Sequence, residues 1–248
     1  PGALELELRV PAGSVEIEAS ETSTTEVTLE PVGGEASEEA VASARVELRE
    51  RPDGGHVVFV DVPDRRTFGI SLSFGRGPEV RLRVRCPRGA DADVRTRSAD
   101  VEARGRYASL EARTVSGDVR WSEVDGDARL ETVSGDVRID RIGGRADAQS
   151  VSGDLTLVEV GGEFRSKTVS GDQAIESAAS GKASVESVSG DIRVGIRRGS
   201  RLFVDAHALS GDLSSELDLE GGADSGDGPL VELRAKTVSG DIRVVRAG

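Results

Sequence analysis

Seven aspartates close a recurring Ser-Gly-Asp triplet that follows Val or Leu, and no other residues in the sequence are so well placed to do chemistry together. The triplets are Ser116, Gly117, Asp118; Ser134, Gly135, Asp136; Ser152, Gly153, Asp154; Ser170, Gly171, Asp172; Ser189, Gly190, Asp191; Ser210, Gly211, Asp212; and Ser239, Gly240, Asp241. Val precedes six of them and Leu209 the other, and a degenerate copy ends at Asp100. A row of carboxylates can bind a cation, pair for acid–base work, or accept hydrogen bonds in series. The spacing decides what must be built first. From Asp100 the intervals are 18, 18, 18, 18, 19, 21 and 29 residues. A constant interval that later lengthens means a structural repeat with insertions, and repeat columns usually serve stacking. The triplets are therefore read as a structural turn ladder. Gly would permit a positive φ at each corner, and Ser and Asp would bond backbone amides. Stacked carboxylates repel by about 1 kcal/mol per pair in water. Amide bonds, or Arg120, Arg138, Arg193 and Arg243 two places after the Asp, could offset this.

Other chemistry is sparse. His56 and His207 lie far apart, and Cys86 ends a strand as a small buried hydrophobe would. No catalytic Ser-His-Asp order, phosphate loop or HExxH motif occurs. No catalytic residue, cofactor or metal is assigned. The one place for calcium is residues 220–228, where Asp224 and Asp227 offer carboxylates. A solvated Gly/Asp loop needs no metal and is the preferred reading there. With 32 Lys+Arg against 45 Asp+Glu, the net charge is −13, which argues against nucleic acid and anionic lipid as partners. A single cysteine excludes an internal disulfide. No apolar run nears the roughly 18 residues of a transmembrane helix.

The elements that carry the triplets follow from period-two alternation. After Asp136 come Val137, Ile139 and Ile142, a Gly143-Gly144 turn, then Ala146 and Ala148. One unit is strand, Gly turn, strand, Ser-Gly-Asp turn. Such a unit cannot bury its own apolar side, but stacked copies can. The fold class is all-β, a β-solenoid with two short strands per rung of about 18 residues. Its core columns include Val101, Val119, Val137, Leu155, Gln173 and Ile192, and on the second strand Leu110, Ala128, Ala146 and Phe164. Eight rungs at about 4.8 Å would make a rod of about 38 Å. Strict alternation places Thr132 inward and Val133 outward. The apolar column Val115, Val133, Val151, Val169, Val188 and Val238 nevertheless reads as inward, turned there by a bulge.

Residues 1–97 are expected to form a β-rich cap or irregular first rungs, continuous with the regular array of residues 98–248. Strands are expected at 26–30, 44–49, 56–62, 69–74 and 79–85, one short helix at 35–43, and turns at 63–64 and 75–78. Ala12, Gly13 and Ser14 look like a degraded turn of the same kind. The last strand, residues 242–246, has no evident cap. It is read as an open edge through which the rod could self-associate.

The units T-V-S-G-D-[VI]-R-[VI], at residues 114–139, 150–157, 168–172, 187–194 and 237–244, follow a start of the form L-x-L-x-V-P-A-G-x-V-x-I at 6–17. In these the chain resembles a bacterial β-strand-repeat family of unknown function labelled "putative adhesin". The resemblance covers most of the chain. It implies a β-helix-like fold without an established activity or defined catalytic residues. The function expected is a non-enzymatic structural or interaction scaffold. The alternatives are an envelope-associated adhesin or sensor for a glycan or protein, and, third, a polysaccharide-active enzyme. A start at Pro1, with no Met in the sequence, suggests the cytoplasm, or the envelope if a leader or anchor has been removed.

Overall fold

The computed structural model describes residues 3–64, 78–216 and 228–247. The expected strand at 69–74, the turn at 75–77, and Asp224 and Asp227 lie outside the described residues. The elements in chain order are β1 (Leu4–Ser20), β2 (Glu26–Val32), α1 (Glu35–Ala42), β3 (Arg45–Glu50), β4 (His56–Asp61), β5 (Glu79–Pro87), β6 (Ala90–Arg113), β7 (Val119–Val124), β8 (Ala128–Thr132), β9 (Val137–Ile142), β10 (Ala146–Ser150), β11 (Leu155–Val160), β12 (Phe164–Ser170), β13 (Gln173–Ala178), β14 (Gly181–Ser189), β15 (Ile192–Ile196), β16 (Arg201–Ser210), β17 (Leu213–Ser215), β18 (Leu230–Ser239) and β19 (Ile242–Arg246). No helix among them is long and apolar enough to cross a membrane.

The regular part is a parallel β-solenoid with two strands per rung. On one face β7, β9, β11, β13 and β15 stack in register, Val119 beside Val137, Leu155, Gln173 and Ile192. On the other, β8, β10, β12 and β14 align Ala128, Ala146, Phe164 and Ala183. Alternate side chains of both faces point between them and are buried, among them Ile139, Leu157 and Val194 against Leu130, Ala148 and Val185. Small residues dominate one side, so the core is thin and admits few rings. Tyr107 and Trp121 are packed edge to face, 4.7 Å apart. Gln173 stands in an apolar column, yet its amide is bonded to Thr168 Oγ1 at 2.9 Å and the Glu186 carbonyl at 2.8 Å, and it accepts from Ser166. A buried amide so satisfied costs little.

Both described chain ends lie inside the array. β1 runs across a corner and pairs with β6 on one side, Leu6 beside Ala92 and Val15 beside Val101. Gly13 of the degraded turn aligns with Ala99. On its other side β1 pairs with β4 and β5. Two antiparallel strands finish that end, β3 on β4 and β2 on β5. Helix α1 lies against β2 and β5 with Ala40 buried. Ser37 fastens it: its hydroxyl donates to the Val32 carbonyl and accepts from the Glu79 amide.

The expectation for the C-terminal strand is corrected at the other end. β19 is not an open edge. It pairs with β15 on one side and β17 on the other, while β18 sits between β14 and β16. Val244, placed on the expected edge, is buried. The spatial order therefore departs from the sequence order. β19, whose inward Ile242 and Val244 stand beside Leu213 and Ser215 of β17, takes the inner rung together with β18. There both sides are covered and both sets of backbone groups are bonded. The outer rung falls to β16 and β17.

Close stacking at the corners fixes the glycines. A Cβ on Gly135 would lie 2.0 Å from the Gly117 carbonyl oxygen, and one on Gly153 would lie 2.1 Å from that of Gly135. Neither has a positive φ, so it is proximity that demands glycine there. Conformation adds a second reason at Gly171, Gly190, Gly211 and Gly240, whose φ values run from 138° to 147°. Gly135→Ala is expected to cost about 2–4 kcal/mol, as overpacking against a fixed backbone does. Gly34→Ala, which opens into free space, should stay within about 1 kcal/mol. Urea denaturation of both variants checks this.

Candidate functional site

The Ser-Gly-Asp row forms a ladder in which each carboxylate serves the next rung. The amides of Asp118, Asp136, Asp154, Asp172 and Asp191 donate to the carboxylates of Asp100, Asp118, Asp136, Asp154 and Asp172. Asp241 then donates to Asp191, and Asp212 to Asp241. All seven bonds measure 2.8–3.1 Å. The amide bonds are thus made between rungs rather than within one turn. Arginines help at some rungs only: Arg120 approaches Asp118 at 3.7 Å and Arg243 approaches Asp241 at 3.4 Å. Arg138 turns to Asp140 and Glu176 instead.

The same corner corrects the expectation for the valines. Val115, Val133, Val151, Val169, Val188 and Val238 point outward, each 44–49% exposed. Thr114, Thr132, Ser150, Thr168, Ser187 and Thr237 point inward and are buried. Strict alternation holds without a bulge, and hydrogen bonding explains why. The Thr114, Thr132 and Ser150 hydroxyls accept the amides of Gly117, Gly135 and Gly153 at 2.9–3.1 Å. An inward Val would leave those buried amides without a partner, at about 1–3 kcal/mol each. The signal was present in the sequence: a Thr or Ser three residues before almost every corner Gly.

The outward valines form the floor of an open groove. In spatial order they run Val115, Val133, Val151, Val169, Val188 and Val238, and Leu209 extends the row. Seven side chains at rung spacing span about 29 Å. The groove encloses about 1090 Å³. Its rim is the column one residue before the Thr: Arg113, Glu131, Gln149, Lys167, Glu186, Lys236 and His207. Arg113 pairs with Glu131 at 3.2 Å, and Lys167 with Glu186 at 2.8 Å. The rim charges largely satisfy one another, and the floor is apolar.

Residues with other chemistry do not converge here. His56 lies on β4 beside Leu4, while His207 is on the last rung with Nε2 2.9 Å from Asp205. No group of three or more His, Cys, Asp or Glu among the described residues could hold a metal ion. Cys86 is fully buried, and desolvation raises its thiol pKa to about 11. Burial also lifts the Tyr107 phenol well above its ordinary range, and its oxygen lies near the Ile17 and Arg104 carbonyls.

Fold and corner together define a class: a parallel β-solenoid with an amide-linked Asp ladder and an apolar groove beside it. The chain belongs to the Toastrack DUF4097 family, whose model matches residues 4–245. Solved structures share little sequence with it. One described as a "putative lipid binding protein" from Parabacteroides distasonis is 14% identical, with 99% of this chain and 93% of that one covered, at a TM-score of 0.59. A "putative adhesin" from Bacteroides fragilis is 12% identical, with 98% and 92% covered, at 0.45. A "putative cell adhesion protein" from Clostridium sporogenes is 11% identical, with the same coverage, at 0.29. No curated protein matches.

Two outcomes test the site's chemistry. Asp154→Ala should lose about 1–2 kcal/mol of stability, and Asp154→Asn, which keeps an acceptor oxygen, distinctly less; thermal and urea melts measure both. Cys86, buried and held as the thiol, should resist iodoacetamide at pH 8 until urea unfolds the chain.

Proposed function

We propose that this protein is a non-enzymatic binding scaffold whose working surface is the groove over the valine row. One observation carries the reading: an unbroken line of exposed valines runs across successive rungs and is rimmed by polar side chains. Contiguous exposed apolar surface of this kind marks interaction sites. The alternation that aims these side chains outward also fixes their spacing, so the groove is preformed and binding it costs little ordering. A linear apolar floor fits an extended apolar chain. The lipid-binding description of the Parabacteroides protein names one such occupant, and an extended peptide is the other.

The test uses a fluorescent fatty acid of palmitate length and an extended Val/Thr peptide as probes. At least one is expected to bind the wild-type protein. The double variant Val151→Glu, Val169→Glu should weaken that binding by about tenfold or more, by charging the floor. Its melting temperature should barely change, because both side chains are already half exposed. Binding that survives the double variant would remove the groove from the function, as would no binding of either probe.

A further inference from the structure

We infer that two copies of this chain join tail to tail, pairing β16 antiparallel with itself in a register centred on Ala206. The inference rests on the last rung, whose His207 and Leu209 also form the end of the groove. β16 bonds β18 along one side, and among the described residues no strand covers the other. Its inward side chains Leu202, Val204, Ala206 and Ala208 are only partly buried, whereas Val231, Leu233 and Ala235 of the neighbouring rung are closed off. Phe203 is 64% exposed and Leu209 83%. The strand has neither Pro nor Lys, the residues that commonly blunt an edge.

The occupant is specified by the strand's own pattern. Around Ala206 the outward residues read Phe203, Asp205, His207, Leu209: apolar, acid, base, apolar. Antiparallel pairing about Ala206 sets Phe203 opposite Leu209 of the second copy and Asp205 opposite its His207. The two-fold repeats both pairs. Apolar and acid–base cross-strand pairs are the favourable ones, and this self-complementarity is what a two-fold interface requires. Centring on Asp205 instead would set that carboxylate against itself. Inside, Val204 would meet Ala208, and Ala206 its own copy, continuing the core across the axis.

The opposite end does not offer the same edge. There β3 sets Val46 and Leu48 among Arg45, Glu47, Arg49 and Glu50, while β2 contains Pro31 and has α1 against it. A closed dimer is therefore expected rather than a head-to-tail filament.

Sedimentation and light scattering across concentration test the state, and cysteine pairing tests the register. The wild-type protein should reach the mass of two chains by about 100 µM. Phe203→Lys, at an exposed position, should return it to one. His207→Asp should weaken association about tenfold by facing two carboxylates. The swap Asp205→His with His207→Asp should recover most of that loss. Under oxidation Ala206→Cys should link two chains, since directly opposed Cα atoms lie within disulfide reach. Val204→Cys should not, because position 204 faces 208. A single chain at every concentration would overturn the inference. So would mass growing beyond two chains, a dimer indifferent to Phe203→Lys, or linkage at position 204 as efficient as at 206.

Discussion

Backbone packs directly on backbone at the Ser-Gly-Asp corner, and the rest of the molecule depends on that contact. Successive glycines approach so closely that a single methyl group could not be inserted. This holds adjacent turns at strand-pairing distance and carries one rung's register to the next. The aspartate beside each glycine then reaches its neighbour's amide, so a group that would repel its copies becomes the link between them. Charge repulsion in water is about 1 kcal/mol per pair, and a hydrogen bond to a charged acceptor contributes about 1.5–3 kcal/mol. The ladder is favourable on balance, and rigid.

Rigidity at the corner has a consequence on its outer side. The glycine amide needs an acceptor: a Thr or Ser hydroxyl supplies it from inside at Gly117, Gly135 and Gly153, and a serine carbonyl of the adjacent rung does so at Gly171, Gly190 and Gly240. The residue after the inward Thr or Ser has no choice of direction. Its side chain faces water on every rung, and Val fills that position six times. The groove is thus the exterior of a hydrogen-bonding solution, and its spacing is that of the backbone. A surface built this way reads length and apolarity along a line. Charge enters only at its rim, where Arg113 pairs with Glu131 and Lys167 with Glu186 on neighbouring rungs.

The sequence made the rungs legible because alternation and a fixed interval are local signals. Columns such as Val119, Val137 and Leu155, and the two-strand unit, can be read without coordinates. Side-chain polarity alone points Val133 inward, whereas satisfaction of the corner amide points it outward. A hydroxyl with two buried backbone partners belongs inside more firmly than an isopropyl group does. The position of β19 was harder to see. The 29-residue interval from Asp212 to Asp241 records an insertion into the 18-residue unit, but not which side of β17 the returning strand will take. That choice depends on comparing two candidate rungs for burial, which is a tertiary quantity.

The exchange of order at that end changes what the rod exposes. With β18 and β19 inside, Val231, Leu233, Ile242 and Val244 are covered on both sides, and the outermost position falls to a strand of mixed character. β16 carries Arg201, Asp205 and His207 among its apolar residues, and Asp205 is held by Arg234 of the rung beneath. A strand of this kind can face water, yet its acid and base are placed symmetrically about Ala206 with a large apolar residue beyond each. The opposite end also exposes apolar side chains, Val46 and Leu48, but sets them among charges of both signs on an antiparallel flap. The two ends solve the same edge problem differently: one is blunted by charge and a helix, while the other keeps a row of backbone groups and a pattern that matches itself.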